Sequence, residues 1–160
     1  MRPLFRALAL ACALAFAACP APLPAADWVV GANIGNVPWE FQDARGHYVG
    51  FEIDLVNEVA RRAGKTVDIQ NIPFNGLFSA VQSGRIQIAI SSITITPKRL
   101  ASLAFAQPYY DADQSLSVLK NSSVHSLEDL AGRTIGVDTG STGDIYANAH
   151  QAQLRIADIS

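Results

Sequence analysis

One polar turn contains the residue types that bind a carboxylate. The segment Ser91–Arg99 follows the apolar stretch 86–90 and leads into a helix start at Thr96–Pro97, where a threonine cap precedes a proline at the first helical position. Arg99 follows within the first turn of this helix. An arginine binds a planar carboxylate through two parallel hydrogen bonds, and the free N–H groups of a helix N-terminus favour anions. The turn therefore predicts an anion site; on these residues alone, an ordinary capped helix with a solvated arginine is the alternative.

A second polar loop, Asp138–Gly143, has the same order of strand, loop and helix start. Its glycines, Gly140 and Gly143, allow the backbone to approach a ligand closely, and its N–H groups could hold an anion. The loop lacks the Gly-Lys-Ser/Thr ending of a phosphate-binding P-loop. We predict a second anion-binding turn here, with a plain connecting loop as the alternative.

Composition and spacing argue against several other kinds of chemistry. The chain has 160 residues, of which 49% are hydrophobic and 16% charged, and its formal net charge of −2 is accompanied by no basic run. Disorder and nucleic-acid binding are therefore not expected. The histidines His47, His125 and His150 lack ligand spacing, and no pair of carboxylates is recognisable as an acid–base couple. We predict no metal, no cofactor and no catalytic residue.

Five aromatic residues are candidates for packing or for ligand contact: Trp39, Phe41, Phe74, Tyr109 and Tyr110. Large aromatic side chains contribute mostly to the cores of globular domains, so most of these are expected to be buried. Phe74 is the exception, because it lies in the polar turn 73–76, where a ring can face a cleft.

Residues 1–26 have the pattern of an export leader. Arg2 and Arg6 precede an apolar run over 7–18 that is too short to span a bilayer comfortably, and prolines follow it. Cleavage after this segment would release a periplasmic domain. Cys19 also resembles the lipidated cysteine of a bacterial lipoprotein, so a lipid anchor is the alternative. Both cysteines of the chain lie in the leader, and the exported domain is therefore expected to hold no disulfide.

Strand-like and helix-like stretches alternate along the rest of the chain. The predicted strands cover 28–32, 66–69, 86–90, 114–119, 134–137 and the short stretch 154–156, and a hairpin turn is predicted at 43–46. The predicted helices cover 54–63, 76–83 with Asn75 as its cap, a short helix opening at 126–129, and 144–149. This alternation indicates α/β layers around a largely parallel sheet.

Five segments carry a family resemblance: GHYVGFEIDLVNEVARRAG (46–64), PFNGLFSAVQSGRIQIAISSITITPKR (73–99), FAQPYY (105–110), SLEDLAGRTIGV (126–137) and GSTGDIYAN (140–148). In this order they resemble the bacterial extracellular solute-binding proteins of family 3, the polar amino-acid receptors of ABC transporters. The resemblance implies an α/β periplasmic-binding-protein type II clamshell, whose two lobes close on a ligand. Residues 27–119 would form a nearly complete first lobe, and residues 120–160 only part of the second lobe.

The resemblance also implies roles for residues of both polar turns. Arg99 would hold the α-carboxylate of an amino acid, assisted by the backbones of Thr94 and Thr142. Ser92 and Thr94 would contact the α-amino group, and Phe74 would pack on the ligand. The remaining positions of the expected site are Asn33, Asn36, Ser91, Ser141 and Gly143.

Three departures from the family pattern bear on the ligand. Asn33 occupies a position at which receptors for basic amino acids usually have an acidic residue, so lysine or arginine is a less expected ligand. Asn36 occupies a position that commonly bears an aromatic residue stacked on the ligand. The family's aspartate that pairs with the α-ammonium would lie beyond residue 160, and the chain is therefore expected to be truncated or a fragment.

The function predicted from the resemblance is that of the extracytoplasmic binding component of an ABC importer. Such a protein acts as a monomer that binds a polar amino acid between its lobes and delivers it to a membrane permease. Two alternatives stay open: a periplasmic enzyme resembling cyclohexadienyl dehydratases, and the sensor domain of a membrane receptor.

Overall fold

The computed structural model describes residues 25–160. The predicted leader, with Cys19, lies outside the described residues apart from Ala25 and Ala26. In chain order the elements are β1 (Trp28–Ala32), β2 (Phe41–Gln42), β3 (Tyr48–Val49), α1 (Phe51–Ala63), β4 (Val67–Asn71), α2 (Phe74–Gln82), β5 (Ile88–Ala89), α3 (Pro97–Leu100), a 3₁₀ turn (Glu128–Leu130), β6 (Thr134–Ile135), α4 (Thr142–Leu154) and β7 (Asp158–Ile159). None of the helices in this described range is both long enough and apolar enough to cross a membrane.

A three-stranded parallel sheet in the order β4–β1–β5 forms the larger part of the fold. The central strand pairs Val30 with Ile69 of β4 and with Ile88 of β5. Parallel neighbours need crossover connections, and α1 and α2 lie in those connections along the chain. The expected parallel α/β arrangement is confirmed.

The two long helices of this part of the chain cover opposite faces of the sheet. Alternate residues of a strand point to opposite faces. Val30 accordingly packs in a cluster with Val56 of α1, whereas Gly31 faces Leu77 of α2. A Cβ at Gly31 would lie 2.6 Å from Cδ1 of Ile86 and 2.9 Å from Cδ2 of Leu77. The absence of a side chain at this position therefore allows α2 to pack closely on the sheet.

The first turn of helix α1 is hydrogen-bonded to a loop that precedes it in the chain. It starts at Phe51, earlier than the predicted 54, and it ends at Ala63, where the C-cap Gly64 adopts the left-handed conformation expected of a C-terminal glycine. Phe51 N donates to Pro38 O at 3.1 Å, and Glu52 N donates to Trp39 O at 2.9 Å. The loop 38–39 thus supplies the acceptors that the first N–H groups of the helix need.

The predicted hairpin is confirmed. Strands β2 and β3 pair antiparallel, with Phe41 opposite Val49. Asp43 Oδ1 accepts hydrogen bonds from the backbone N–H groups of Arg45 and His47, both at 2.8 Å. This carboxylate replaces backbone partners within the turn, as aspartate commonly does.

A second, two-stranded parallel sheet pairs β6 with β7. Its separate core consists of Val124, Leu130, Leu154 and Ile156. The short helix expected near 126–129 is the 3₁₀ turn, where Asp129 Oδ2 accepts from Ser126 N at 3.0 Å.

Several predicted element bounds are wrong. The stretch 154–156 is not a strand, because Leu154 ends α4 and Arg155 is a left-handed C-cap. Residues 114–119 form no strand, since no neighbouring strand in the described range pairs with them. Asn75 is not a cap, because α2 already begins at Phe74. Strand β5 is shorter than predicted, and α4 is longer at both ends.

Candidate ligand-binding site

Arg99 lies where the two polar turns meet. Its helix is capped by Thr96, whose Oγ1 accepts from Arg99 N at 3.2 Å. The guanidinium donates from Nη1 to Thr94 O at 2.6 Å and from Nη2 to Gly140 O at 3.0 Å. One side chain therefore links the turn after β5 to the loop before α4. The two segments singled out by the sequence are brought together.

Two aromatic rings of α2 lie against the same guanidinium. Its Cζ is 4.8 Å from the ring centroid of Phe78 and 5.6 Å from that of Phe74. The two rings meet edge to face, with centroids 5.5 Å apart. Phe74 is 9% exposed and packs in the core of the first sheet, with its ring against the guanidinium; its contact with a ligand stays a prediction. These contacts restrict the movement of the guanidinium and add a favourable cation–π interaction.

The positive charge of Arg99 has no carboxylate partner among the described residues. Partial burial lowers its pKa, but a guanidinium stays protonated at any physiological pH. Its two protein partners are neutral carbonyl groups, and a guanidinium has five N–H donors. The remaining donors and the uncompensated charge favour binding of an anion.

The second loop contributes backbone donors. Ser141 caps α4, with its Oγ accepting from Asp144 N at 3.0 Å, and Asp144 Oδ2 accepts from Gly140 N at 2.8 Å. The N–H groups of Thr142 and Gly143 in the first helical turn have no acceptor among residues 25–160. Oγ1 of Thr142 lies 3.1 Å from Oγ1 of Thr94, which belongs to the polar turn Ser91–Arg99. Both turns thus present hydroxyl or N–H groups at the same junction.

The serine pair Ser91–Ser92 is held by hydrogen bonds to residues far away along the chain. Ser91 is buried; its Oγ accepts from Asn33 N at 3.1 Å and donates to Glu40 Oε1 at 2.7 Å. Ser92 is exposed and has a φ of 48°, which non-glycine residues rarely adopt. Asn36 Nδ2 reaches Ser92 Oγ at 3.4 Å. Asn33, Asn36 and the two serines therefore form one connected edge of the site.

An open cavity of about 410 Å³ extends along this edge. It is lined by Asn33, Ile34, Gly35, Asn36 and Asp138. Asp138 was not among the expected site residues, although it begins the second polar loop. It brings a carboxylate to a cavity whose other polar side chains are neutral amides.

Sequence reasoning also missed a buried carboxylate pair. Glu40 and Glu52 are fully buried, and Glu52 Oε1 accepts from Ser92 N at 2.8 Å and from the hydroxyl of Tyr109. No local signal in the sequence distinguishes these glutamates from surface residues. Tyr109 and Tyr110 are 43% and 59% exposed, and Trp39 and Phe41 are only partly buried, so the expectation that most of the five aromatic residues belong to the core is wrong.

The fold and this junction define a class of protein. Helices cover a parallel sheet, and polar turns at the strand ends meet those of a second small sheet, as in extracytoplasmic solute-binding proteins. The model of the bacterial extracellular solute-binding proteins of family 3 matches residues 28–155. The chain belongs to this family.

Curated relatives agree with the family assignment. A probable histidine-binding protein of Neisseria gonorrhoeae is 36% identical over 149 residues, which cover 86% of this chain and 56% of that protein. The histidine-binding periplasmic protein of Escherichia coli K12 is 32% identical over 156 residues, covering 96% of this chain and 60% of that protein. The chain thus spans less than two thirds of the length of these relatives.

Solved structures show the same fold. An ancestral arginine-binding protein bound to arginine superposes with a TM-score of 0.77 at 35% identity, covering 83% of this chain and 59% of that one. An ancestral amino-acid-binding protein described as a precursor of cyclohexadienyl dehydratase superposes with a TM-score of 0.74 at 30% identity, over 83% and 59% of the two chains. The fold class is the type II clamshell of periplasmic amino-acid-binding proteins.

Proposed function

We propose that the protein is the extracytoplasmic binding component of an ABC importer, which binds a polar amino acid between its two lobes and delivers it to a membrane permease. It acts as a monomer in the periplasm. The observation that carries the proposal is the position of Arg99. Its charge has no carboxylate partner in the described part of the chain, and its guanidinium lies between Thr94 O and Gly140 O.

The α-carboxylate of the ligand binds the free N–H groups of Arg99. The unpartnered N–H groups of Thr142 and Gly143 add neutral donors from the second turn, at a helix N-terminus that itself favours negative charge. Ser92 and Thr94 offer hydroxyl oxygens to the α-ammonium. Ser141 acts on the ligand indirectly, because its hydroxyl is engaged as the cap of α4.

The ligand side chain extends toward the cavity lined by Asn33, Asn36 and Asp138. The relatives described above are named for histidine or arginine. Asn33 brings no negative charge to this edge, whereas the Asp138 carboxylate supplies one. We therefore infer a ligand with a cationic or strongly polar side chain and name arginine and histidine as the first probes.

The proposed function also assigns a role to each part of the chain. Residues 1–26 serve as the export leader, with lipidation at Cys19 as the alternative. The first lobe comprises residues 27–119 and the described part of the second lobe residues 120–160. Support comes from the two sheets, of which β1, β4 and β5 belong to the first range and β6 and β7 to the second.

The proposal is tested by thermal unfolding of the full-length mature protein with each of the standard L-amino acids. A ligand at about 100 times its dissociation constant stabilises the folded state by about 2.7 kcal/mol, which raises Tm measurably. The matched variants are Arg99→Met and Lys98→Met, because both remove one positive charge from α3 and Lys98 is exposed. Lys98→Met is expected to keep the ligand-induced shift and Arg99→Met to lose it. No shift with any amino acid, or an equal shift in both variants, would contradict the proposal.

A dehydratase is the second candidate, favoured by the likeness to the ancestral protein described as a dehydratase precursor. The same protein preparation would be incubated with prephenate and with arogenate. Turnover of either compound would replace the transport proposal by the enzymatic one.

A further inference from the structure

Two glutamate side chains that do not contact the proposed ligand face each other inside the first lobe. Glu40 and Glu52 are fully buried and lie within hydrogen-bonding reach of each other. No salt bridge of the described residues involves either of them. Two ionised carboxylates at such a place would repel each other and lose their hydration. The pair must therefore hold a proton.

The donors around the pair indicate which carboxyl is protonated. Glu52 Oε1 accepts from Ser92 N at 2.8 Å, from Ser92 Oγ at 3.3 Å and from the Tyr109 hydroxyl. Glu40 Oε1 accepts from Ser91 Oγ at 2.7 Å. Because hydrogen bonds from several donors favour the ionised form, the proton of the pair is assigned to Glu40, which accepts from fewer donors. Burial, together with the hydrogen bond to Glu52, raises the pKa of Glu40 well above its ordinary value of 4.5.

The remaining oxygens of the pair need this proton. Among the described residues, neither Glu40 Oε2 nor Glu52 Oε2 has a hydrogen-bond partner. A proton held between the two carboxyl groups supplies the hydrogen-bond donor that these buried oxygens lack.

The other groups that face the pair stay neutral over the relevant pH range. They are Ser91, Ser92, Asn36 and Tyr109. Tyr109 is the titratable one, and burial raises its pKa above the ordinary value of 10.0. A change of charge at this place between pH 5 and pH 9 is therefore assigned to Glu40.

The pair lies directly under the binding turn. Ser92 keeps its left-handed conformation while its N–H donates to Glu52, and Ser91 links Glu40 to the backbone of Asn33. The shape of the turn therefore depends on both glutamates.

We propose that Glu40 and Glu52 share one proton and act as positioning residues that hold the turn Ser91–Ser92 in its ligand-binding shape. The consequence for ligand affinity rests on the function proposed above. Loss of the proton places two negative charges beneath the turn and releases it.

The first test compares the unfolding equilibrium of full-length wild-type protein and Glu40→Gln from pH 5 to pH 9. A glutamine amide can donate to Glu52 as the acid does, but it does not titrate. In the wild type the folded state keeps a proton that the unfolded state releases above pH 4.5, so this contribution to stability falls as pH rises, until pH passes the raised pKa of Glu40. The ratio of the two unfolding constants, wild type over variant, is expected to rise about tenfold per pH unit. A ratio independent of pH would overturn the proposal.

The second test measures amide hydrogen exchange of Ser92 at pH 7 without ligand. Glu40→Gln is expected to protect this amide as the wild type does, whereas Glu40→Leu, which leaves Glu52 without its proton donor, should speed exchange at least tenfold. Equal protection in a folded Glu40→Leu protein would contradict the positioning role. If Glu40→Leu does not fold, the pH comparison above tests the shared proton, and the affinity comparison below tests the positioning of the turn.

The third test measures affinity for arginine and histidine at pH 7.5 and pH 10. Glu40→Gln should bind within threefold of the wild type at pH 7.5, and the wild type should lose at least tenfold relative to the variant at pH 10. Titration of the ligand amino group affects both proteins equally and cancels in this comparison. Parallel losses would contradict the proposal. If neither amino acid binds, the proposed function fails, while the unfolding and exchange measurements still decide the role of the pair.

Discussion

Gly50 controls the contact that places Glu40 near Glu52, and Gly50→Ala tests how strictly that contact is required. A Cβ at this position would lie 2.3 Å from Trp39 O, 2.7 Å from Trp39 C and 2.8 Å from Pro38 O. These are backbone atoms, and the two carbonyl oxygens among them, Pro38 O and Trp39 O, accept the hydrogen bonds from Phe51 N and Glu52 N that begin α1. They cannot move away without breaking those bonds. The φ of 125° adds strain for any residue with a side chain.

The expected cost follows from these two terms. A non-glycine residue in such a backbone conformation costs about 1–3 kcal/mol, and forced overpacking costs about 1–3 kcal/mol more. Gly50→Ala should therefore lower the free energy of unfolding by about 2–6 kcal/mol, a large part of the stability of an ordinary domain.

Urea unfolding of the full-length protein, followed by tryptophan fluorescence, measures this loss, since Trp28 lies in β1 and Trp39 contacts the start of α1. Gly64→Ala is the matched control. Gly64 also has a positive φ, 64°, but no heavy atom lies within 4 Å of its ideal Cβ. The control should cost only about 1–2 kcal/mol. Equal costs at the two positions would refute the close-approach argument.

Three further substitutions test the core and the site. Leu77→Ala should cost about 2–5 kcal/mol in urea unfolding because Leu77 is fully buried, whereas Val59→Ala on exposed α1 surface should stay within about 0.5 kcal/mol; similar costs would contradict the packing. Arg99→Lys keeps the charge but loses the planar fork, so calorimetric affinity for the amino acid should fall about 10- to 100-fold; a change below threefold would argue against carboxylate binding here. Asp138→Asn should weaken binding of arginine about threefold at low salt, with a smaller effect at high salt and none on a neutral amino acid; equal losses for both ligands would contradict a charge effect.

The sequence predicts those parts of the fold that depend on local chemistry. The glycine end of α1, the Asp43 hairpin and the threonine cap of α3 are all found where short-range patterns place them. The stretch 114–119 has a strand-like composition but remains irregular, because a strand also requires a neighbour to pair with. Short-range patterns do not contain that information.

The candidate site likewise contains residues that local sequence patterns predict and residues that they do not. Arg99 and the loop 138–143 are recognisable from residue types and spacing, and the structure joins them through Gly140 O. The Glu40–Glu52 pair is not recognisable, since its partners Ser91 and Ser92 lie 51 and 40 residues away along the chain. Only the folded backbone shows that two glutamates meet beneath the turn.

The central claim is that Arg99 binds the carboxylate of an amino acid, and removing that carboxylate from the ligand tests it most directly. Calorimetric titration of the full-length mature protein would compare histidine with histamine and arginine with agmatine. If Arg99 supplies two charge-assisted hydrogen bonds, the decarboxylated compounds should bind at least about 100-fold more weakly than the amino acids. Equal affinity for an amino acid and its decarboxylated form would contradict the account.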